Sequence, residues 1–531
     1  MRKFLPIKIF LVLVLCSASC FAQQPEFVNG KLIDSLTNEP VVFATVRIKN
    51  KALGVISNMD GSFSIPGKFK TYGDTLKISS MGYAPREIAI SELKEDEVRI
   101  IYMKPGVLAL SEAVVEARRK RKKRLSARQI VKKAIKNIGQ NYPLRPFSLV
   151  GYYRDYQLKN KKYINLNEVI LEVFDAGFSK LDSSSTKAMI YDYRRNNDFE
   201  RDTLADDQYD YKSWRKVIIN AYLPNYGGNE FTILRVHDAI RNYNVGSYSF
   251  VNRLDRDLLK NHDFLKGENT YSDDRMLHTI NFKKRFPSHS AFGTLYISHG
   301  DYAIHKLEYS VYDESKKKPA GTVNEHDTSG QLLFKVTSEY KGKHGRMYLN
   351  YISFHNKFVL SRPPKFVVEE VLVEGDRRCF VVKFNKQPEQ VSALRLRNYE
   401  FRFNNKKVEF ERTLLLENQV YLYPKLDNEK ERETFQTIAK MAISGQMDNE
   451  VFNIDIEDIK DNQGNVLNKP YYEDFDQFRE FFVQRVKTNA TLPDTDTFMD
   501  ATKPIFENQQ IINPKKLDDY WMNTPLKKIK G

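Results

Sequence analysis

From Phe27 to Leu467 the chain falls into short runs in which apolar and polar residues alternate, separated by Gly, Asn, Asp and Pro. Alternation at period two puts one set of side chains on each face of a pleated strand, so this pattern commits the chain to sheets rather than to helical bundles. Tyr (30) and Phe (34) make up most of the 12% aromatic content and suit half-buried pleated surfaces. A length of 531 residues predicts about three folding units, at roughly 100–200 residues each. A mean hydropathy of −0.55 excludes a polytopic helical membrane protein. An apolar share of 41% excludes a chain disordered throughout.

The first residues read as a targeting segment. Arg2, Lys3 and Lys8 precede the apolar stretch 9–15, and the small-residue run Ser17-Ala18-Ser19-Cys20-Phe21-Ala22 follows. Residues 1–22 are expected to be a signal peptide cleaved after Ala22. A lipid anchor on Cys20 is the rival, but Ser17 stands where a lipobox usually has Leu. The 84 Lys and Arg against 68 Asp and Glu give +16, and cleavage removes three cations to leave +13 with Cys379 as the remaining cysteine. An intrachain disulfide framework is then excluded, and stability has to come from ordinary cores.

Residues 26–104 carry short strand runs, such as Val41–Ile48 and Leu76–Ile78, with turn signals at Asn58–Gly61 and Gly73-Asp74. Regular spacing of this kind predicts a small β-sandwich. Four motifs occur in order: Val28–Asp34, Asn38-Glu39-Pro40, Asp60-Gly61-Ser62-Phe63 and Ser80-Met81-Gly82-Tyr83. Together they resemble the carboxypeptidase-like regulatory domain of Bacteroidota envelope proteins. That resemblance implies a transthyretin-like scaffold without catalysis of its own. Gly61 and Gly82 suit turn or close-approach positions, and Phe63 is expected to point into the sandwich.

The next stretch, Val107 to Glu116, is similar to the junction between such a module and the TonB box of outer-membrane receptors. Seven consecutive cations follow: Arg118, Arg119, Lys120, Arg121, Lys122, Lys123 and Arg124. Ser126 and Gln129 then form a candidate capping box, Ala127, Ile130, Val131, Ala134, Ile135 and Ile138 recur at helical spacing, and Gly139 is placed to end the helix. Arg128, Lys132 and Lys136 fall on its outer side. Residues 105–143 therefore read as a basic linker and amphipathic helix. The simplest account is a solvated linker with a docked helix; the functional one is electrostatic contact with an acidic protein surface or an anionic lipid surface. Export argues against nucleic acid as the partner. Eleven cations and no acid lie between Arg118 and Lys136, so the remainder of the mature chain is nearly neutral.

Residues 144–362 read as a large antiparallel β domain rich in Tyr and Phe, with a hairpin turn at His299-Gly300-Asp301. The stretch from Phe292 to Tyr312 is similar to one hairpin of the outer-membrane lipoprotein carrier fold, which implies a curved sheet able to cup a hydrophobic ligand. All nine histidines lie between His237 and His355, which raises a metal hypothesis. His305 and Glu308 have the only His-x-x-Glu spacing, but on a strand positions i and i+3 face opposite sides, and no third His follows His355. His299 and His305 remain candidates to face each other across the hairpin. No catalytic, metal or cofactor residue is assigned, since the His-Glu-x-x-His, Gly-x-Ser-x-Gly and phosphate-loop motifs are absent. Cys379 lies in a strand pattern and reads as a buried small hydrophobe.

Pro363-Pro364 marks the next boundary. The strand runs of residues 363–469, among them Ala442–Gly445, and the closing turn Asp461-Asn462-Gln463-Gly464-Asn465 resemble a bacterial Ig-like domain. Calcium on Asp461, Asn462 and Asn465 competes there with plain Asx-turn geometry. Residues 470–531 are expected to open with a helix carrying Phe475, Phe478 and Phe482 on one face and to continue as a tail. The whole is expected to be mainly β: an N-terminal β-sandwich, a short basic helical linker, a large antiparallel β-sheet domain and a C-terminal Ig-like β-sandwich. The function expected is that of a non-enzymatic exported protein, periplasmic or outer-membrane-associated, acting as a scaffold or binding partner of envelope or outer-membrane proteins. A lipid- or lipoprotein-handling protein using the curved middle sheet is the alternative, with a hydrolase built from dispersed residues as the third.

Overall fold

The computed structural model describes residues 27–51, 53–94, 97–106, 124–218, 229–243, 258–272, 275–285, 288–317, 330–446, 451–512 and 517–526. The expected signal peptide, the junction at 107–116 and the cations from Arg118 to Lys123 lie outside them. The architecture is mainly β, and the described residues form two compact units. One takes in those up to Tyr211, those from Lys216 to Phe358 and those from Phe475 onward; the other comprises Lys212–Arg215 and Val359–Asp474.

The first unit opens with the expected sandwich. Strands β1 (Phe27–Asp34), β4 (Ser62–Pro66) and β7 (Val98–Met103) form one sheet in the order β4-β1-β7. Strands β2 (Thr45–Ile48), β3 (Gly54–Ile56), β5 (Thr75–Ser79) and β6 (Arg86–Ala89) form the other in the order β3-β2-β5-β6. The sequence motifs meet physically here. Gly30 pairs with Phe63 across β1 and β4, and a Cβ on Gly30 would stand 2.3 Å from the Phe63 ring, so only glycine lets that ring lie flat over β1. The Tyr83 hydroxyl donates to Asp34 at 2.7 Å, joining the first motif to the last. Trp521 also belongs to this core: its ring packs 5.5 Å from Phe69 and its indole N–H donates to the Ser64 carbonyl.

Helix α1 (Ala127–Lys136) begins at the expected capping box, with Ser126 and Gln129 each bonding the other's backbone N–H. Its buried face is Ala127, Ile130, Val131, Ala134 and Ile135. It ends at Asn137 rather than Gly139, and the Asn137 and Asn141 side chains donate to the Asp301 carbonyl.

The large sheet begins with β8 (Phe147–Lys159), β9 (Lys162–Asp175) and β10 (Lys187–Arg195). Short strands β11 (Lys216–Val217), β12 (Asp263–Lys266) and β13 (Thr270–Ser272) precede the long meander β14 (Arg275–Arg285), β15 (His289–Ser298), β16 (Ile304–Lys317), β17 (Gly330–Lys343) and β18 (Arg346–Arg362). Helix α2 (Glu230–Val236) lies between β11 and β12 in sequence.

The second unit contains β19 (Val368–Glu374), β20 (Cys379–Phe384), β21 (Tyr399–Phe403), β22 (Lys406–Val408), β23 (Phe410–Leu416), β24 (Gln419–Pro424), helix α3 (Glu429–Ile443) and β25 (Phe452–Ile456). Two sheets, β19-β20-β24-β23 and β22-β21-β25, share an aromatic core in which Phe380 lies 5.2–5.8 Å from the rings of Phe401, Phe435, Phe410 and Phe452. Ala442 and Ile443 close α3 rather than forming a strand, because the Asn428–Glu431 capping box starts a helix whose Phe435 and Ile438 reach the core. At Asp461 the carboxylate accepts the N–H groups of Gln463 and Asn465, which is Asx-turn chemistry.

The tail departs from expectation most. Residues 471–488 are not a helix but strand β26 (Tyr471–Thr488), and the sheet order β10-β9-β8-β26-β18-β17-β16-β15-β14-β12 places it in the middle of the 12-stranded sheet. The segment 144–362 therefore lacks a central strand of its own sheet. The helical spacing misled because β26 is buried on both faces from Phe478 to Gln484, and a strand covered on both sides loses its alternation.

Trp521→Ala is expected to lower the unfolding free energy by about 3–5 kcal/mol, the range for emptying a buried Trp site. Urea unfolding of the full chain followed by circular dichroism measures it. Trp214→Ala, at a residue 64% exposed, should stay within about 0.5 kcal/mol of the parent.

Candidate functional site

The charged residues buried on the sheet face toward the sandwich come from three neighbouring strands. β8 sends Tyr152, Arg154 and Tyr156 there, β9 sends Glu168 and Glu172, and β26 sends Phe478, Glu480 and Phe482, in each case at period two. Arg154 and Glu480 are registered directly opposite each other, and the guanidinium Nε and Nη2 meet Glu480 Oε2 at 2.7 and 2.6 Å. The Tyr156 hydroxyl donates to Oε1 of the same carboxylate at 2.9 Å. Glu168 accepts from Tyr152 at 2.6 Å and from Thr524 at 2.9 Å, while Glu172 is held by Lys487 at 2.7 Å and by the hydroxyls of Ser148 and Tyr191.

The terminal segment 517–526 is a strap bonded on both sides. Toward the sandwich, the Asn523 amide accepts from Ser64 N–H at 2.8 Å and donates to the Ile56 carbonyl at 2.7 Å, and Asn58 donates to the Pro525 carbonyl at 2.7 Å. Toward the sheet, Gln484 donates to the Trp521 carbonyl at 2.9 Å and Arg154 to the Asn523 carbonyl at 3.3 Å. Beside the strap a cleft of about 260 Å³ lies between Phe43 and Met59 of the sandwich and Lys306, Glu308, Lys335 and His355 of the sheet. Lys306 pairs with Glu308 at 2.7 Å, and His355 pairs with Asp476 at 3.0 Å while stacking on Phe478. The cleft thus offers one aromatic wall and several ion-paired polar groups, a combination suited to binding.

The opposite face holds Arg479, whose guanidinium is taken by Glu230, by Asn356 at 2.6 Å and by Tyr209 at 3.0 Å. Asp155 stands opposite Arg479 in register yet bonds Asn167 at 2.9 Å instead. Burial pushes its carboxyl up to about 7, and the Glu230 charge adds to the rise. His237 stacks on Phe354 with Nδ1 2.6 Å from the Ile233 carbonyl, and burial holds its imidazole down to about 3.

Of the ten residues expected to make electrostatic contact, Arg118, Arg119, Lys120, Arg121, Lys122 and Lys123 lie outside the described residues. Arg124, Lys132 and Lys136 are exposed. Arg128 donates to the Leu259 and His262 carbonyls and stacks on Phe264, so it pins α1 to the sheet. The histidines disperse. His299 stacks on His278 at 3.6 Å rather than facing His305, since β14 and not β16 brings a ring beside it. Among the described residues no three His, Cys, Asp or Glu side chains converge as metal ligands. Arg154, Glu168, Glu172, Arg479 and Glu480 escaped the sequence reading. The available signal was a charged residue set between aromatics at period two, as in Tyr152-Tyr153-Arg154-Asp155-Tyr156.

Residues 28–115 match the family model described as CarboxypepD_reg-like domain. The regulatory-like module is therefore present, and its strands are the sandwich above. The TonB-dependent receptor SusC of Bacteroides thetaiotaomicron is 34% identical over 87 residues, which is 16% of this chain and 8% of the receptor. This chain thus spans a small fraction of that relative's length. Among solved structures, a putative outer membrane lipoprotein-sorting protein domain from Vibrio parahaemolyticus aligns at TM-score 0.20 and 10% identity, over 43% of this chain and 84% of that one. A DUF1329 family protein from Desulfovibrio piger aligns at TM-score 0.20 and 11% identity, over 44% and 86%.

Two measurements probe the buried charges. Glu480→Leu is expected to cost about 3–5 kcal/mol, because it strands Arg154 without a counterion, and adding Arg154→Met should recover most of that loss in urea midpoints. The second concerns pH. The stability contributed by Asp155, whose carboxyl is raised on folding, is complete below about pH 4 and is lost as pH rises toward 7. That contributed by His237, whose imidazole is lowered on folding, is complete above about pH 6.5 and is lost as pH falls toward 3. Asp155→Asn keeps the acceptor for Asn167 and removes the first contribution. Between about pH 6.5 and 4.5 its urea midpoints should fall faster than the parent's, by up to about 1.4 kcal/mol per pH unit.

Proposed function

We propose that this protein is a non-enzymatic exported envelope protein that works as a scaffold or binding partner at the periplasmic side of the outer membrane or at the cell surface. The observation that carries the reading is the CarboxypepD_reg-like match at residues 28–115, supported by the 34% identity over 87 residues to a TonB-dependent receptor. The sandwich is built into the unit through Trp521 and Asn523, which supports a fixed platform rather than a detachable accessory. The cations Arg118 to Arg124, with Lys132 and Lys136, are the contact surface in this reading, and the partner is an acidic face of another envelope protein or an anionic lipid surface. Residues 363–469 are an Ig-like module in this reading, and the middle sheet is the second candidate contact surface. Ion-paired residues at the sandwich–sheet junction support binding over chemistry, since Arg154, Glu168, Glu172 and Glu480 are all engaged in holding elements together.

Affinity capture from envelope membranes with the full chain and with a chain lacking residues 118–124 tests the proposal. Loss of the captured proteins, or of membrane association, on deletion is the expected result, and the loss should be mimicked by raising salt because exposed charges are screened. An unchanged set of captured proteins together with an unchanged membrane fraction would overturn it.

A further inference from the structure

A second cleft, of about 200 Å³, lies on the same junction and has no carboxylate among its lining residues. Its polar walls are Arg47 from β2, Lys341 and Lys343 from β17, Asn350 from β18, and Gln484 and Arg485 from β26. Two irregularities in the strand pairing create it. The register of β17 against β18 shifts between Glu339 and Tyr340, leaving Asn350 as the extra residue, and that of β26 against β8 shifts between Val483 and Arg485, leaving Gln484 as the extra one. A β-bulge re-aims side chains that would otherwise alternate, and bulges favour functional sites. Here two of them, on neighbouring strands, open into one cleft, so that the consecutive residues Gln484 and Arg485 both line it.

The lining cations are positioned mainly by neutral acceptors. Arg47 donates to Asn350 Oδ1 at 3.0 Å and to the Val483 carbonyl at 3.2 Å, and its guanidinium lies over Phe482. Lys343 donates to the Val486 carbonyl at 2.9 Å. Lys341 donates to Thr45 at 3.1 Å, and the Glu339 carboxylate stands 3.9 Å away while accepting from Asn350. Arg485 is exposed at the rim of the cleft. Neutral acceptors thus position Arg47 and Lys343, while Lys341 is shared with Glu339. The mutual repulsion registers on Lys343, whose ammonium is held below its ordinary value by burial and then by Arg47 and Arg485.

We propose that this cleft is an anion site for a phosphate monoester. Converging guanidinium and ammonium groups suit a tetrahedral dianion, which takes charge-assisted bonds from several donors at once, and Arg supplies them as a planar fork. The volume exceeds the 10–15 Å³ or so needed for one water many times over, so it takes a phosphate group with the first atoms of its substituent. The substituent is either a lipid or a small soluble organic group.

Calorimetric titration of the full chain with inorganic phosphate at low ionic strength tests the site. Saturable binding is expected with one phosphate per chain, weakened at least about tenfold in Lys343→Gln/Arg485→Gln. A Lys77→Gln/Lys94→Gln chain, which loses the same charge from the sandwich surface, should bind like the parent. Circular dichroism confirms that each variant is folded. Co-sedimentation with vesicles of phosphatidic acid in phosphatidylcholine, against phosphatidylcholine alone, separates the sources: Lys343/Arg485-dependent sedimentation assigns the phosphate to a lipid, and phosphate binding without sedimentation assigns it to a soluble ligand. Absence of saturable phosphate binding, or equal binding by the Lys343→Gln/Arg485→Gln chain, overturns the proposal.

Discussion

The pairing of β26 with β8 is the constraint on which the first unit rests. It runs antiparallel from Asp476 opposite Leu158 to Thr488 opposite Phe147, and it joins strands β8 to β10 to the meander from β14 to β18. Without it the sheet is two pieces, each with a long apolar edge. The contact spans more than 300 residues of sequence, as between Arg154 and Glu480. Loop closure over such a distance is entropically costly, so local pairing within the meander precedes this step and the sheet closes late.

Buried charge explains why that late step has one outcome. Glu480 and Arg479 are adjacent on β26 and face opposite sides of the sheet, the first toward Arg154 and Tyr156, the second toward Glu230, Asn356 and Tyr209. A slip of one residue would exchange the two faces and place each charge beside its own sign or beside nothing. An apolar β26 would be at least as stable in the correct register but would tolerate the wrong ones. The buried pairs thus act on register more than on net stability, in line with the high desolvation cost of ion pairs in protein interiors.

How far the sequence could be read follows from how local each signal was. The sandwich was legible because its signals are short-range: Gly30, Gly61 and Phe63 report their own turns and pairings, and Asp34 and Tyr83 stand in recognisable motifs. Helix α1 was legible for the same reason, through Ser126 and Gln129. β26 was not, since Phe475, Phe478 and Phe482 carry a helical spacing that only burial on both faces explains. Trp521 and Asn523 were equally opaque, because their partners Ser64 and Ile56 lie more than 450 residues away and nothing next to them encodes the contact. The junction clefts shared that fate, being assembled from β2 and the loop residues Val42, Phe43 and Met59 of the sandwich, the β16–β18 meander and β26.

Charge shows the same division between local and assembled features. The run from Arg118 to Lys136 accounts for most of the net positive charge and is visible to anyone who counts. Arg47, Lys341 and Lys343, and Arg485 come from three distant stretches of sequence, and folding brings them to one cleft. The two features obey different physics. Exposed cations such as Lys132 and Lys136 on α1 interact with charge at a distance only within the 8–10 Å or so that salt leaves unscreened. Cations anchored to carbonyls and amides in a cleft act through short directed bonds, where desolvation raises the worth of a matching anion and sharpens the penalty for a poor fit. On the two proposals above, the first feature would draw the protein to an anionic surface and the second would select a group on it.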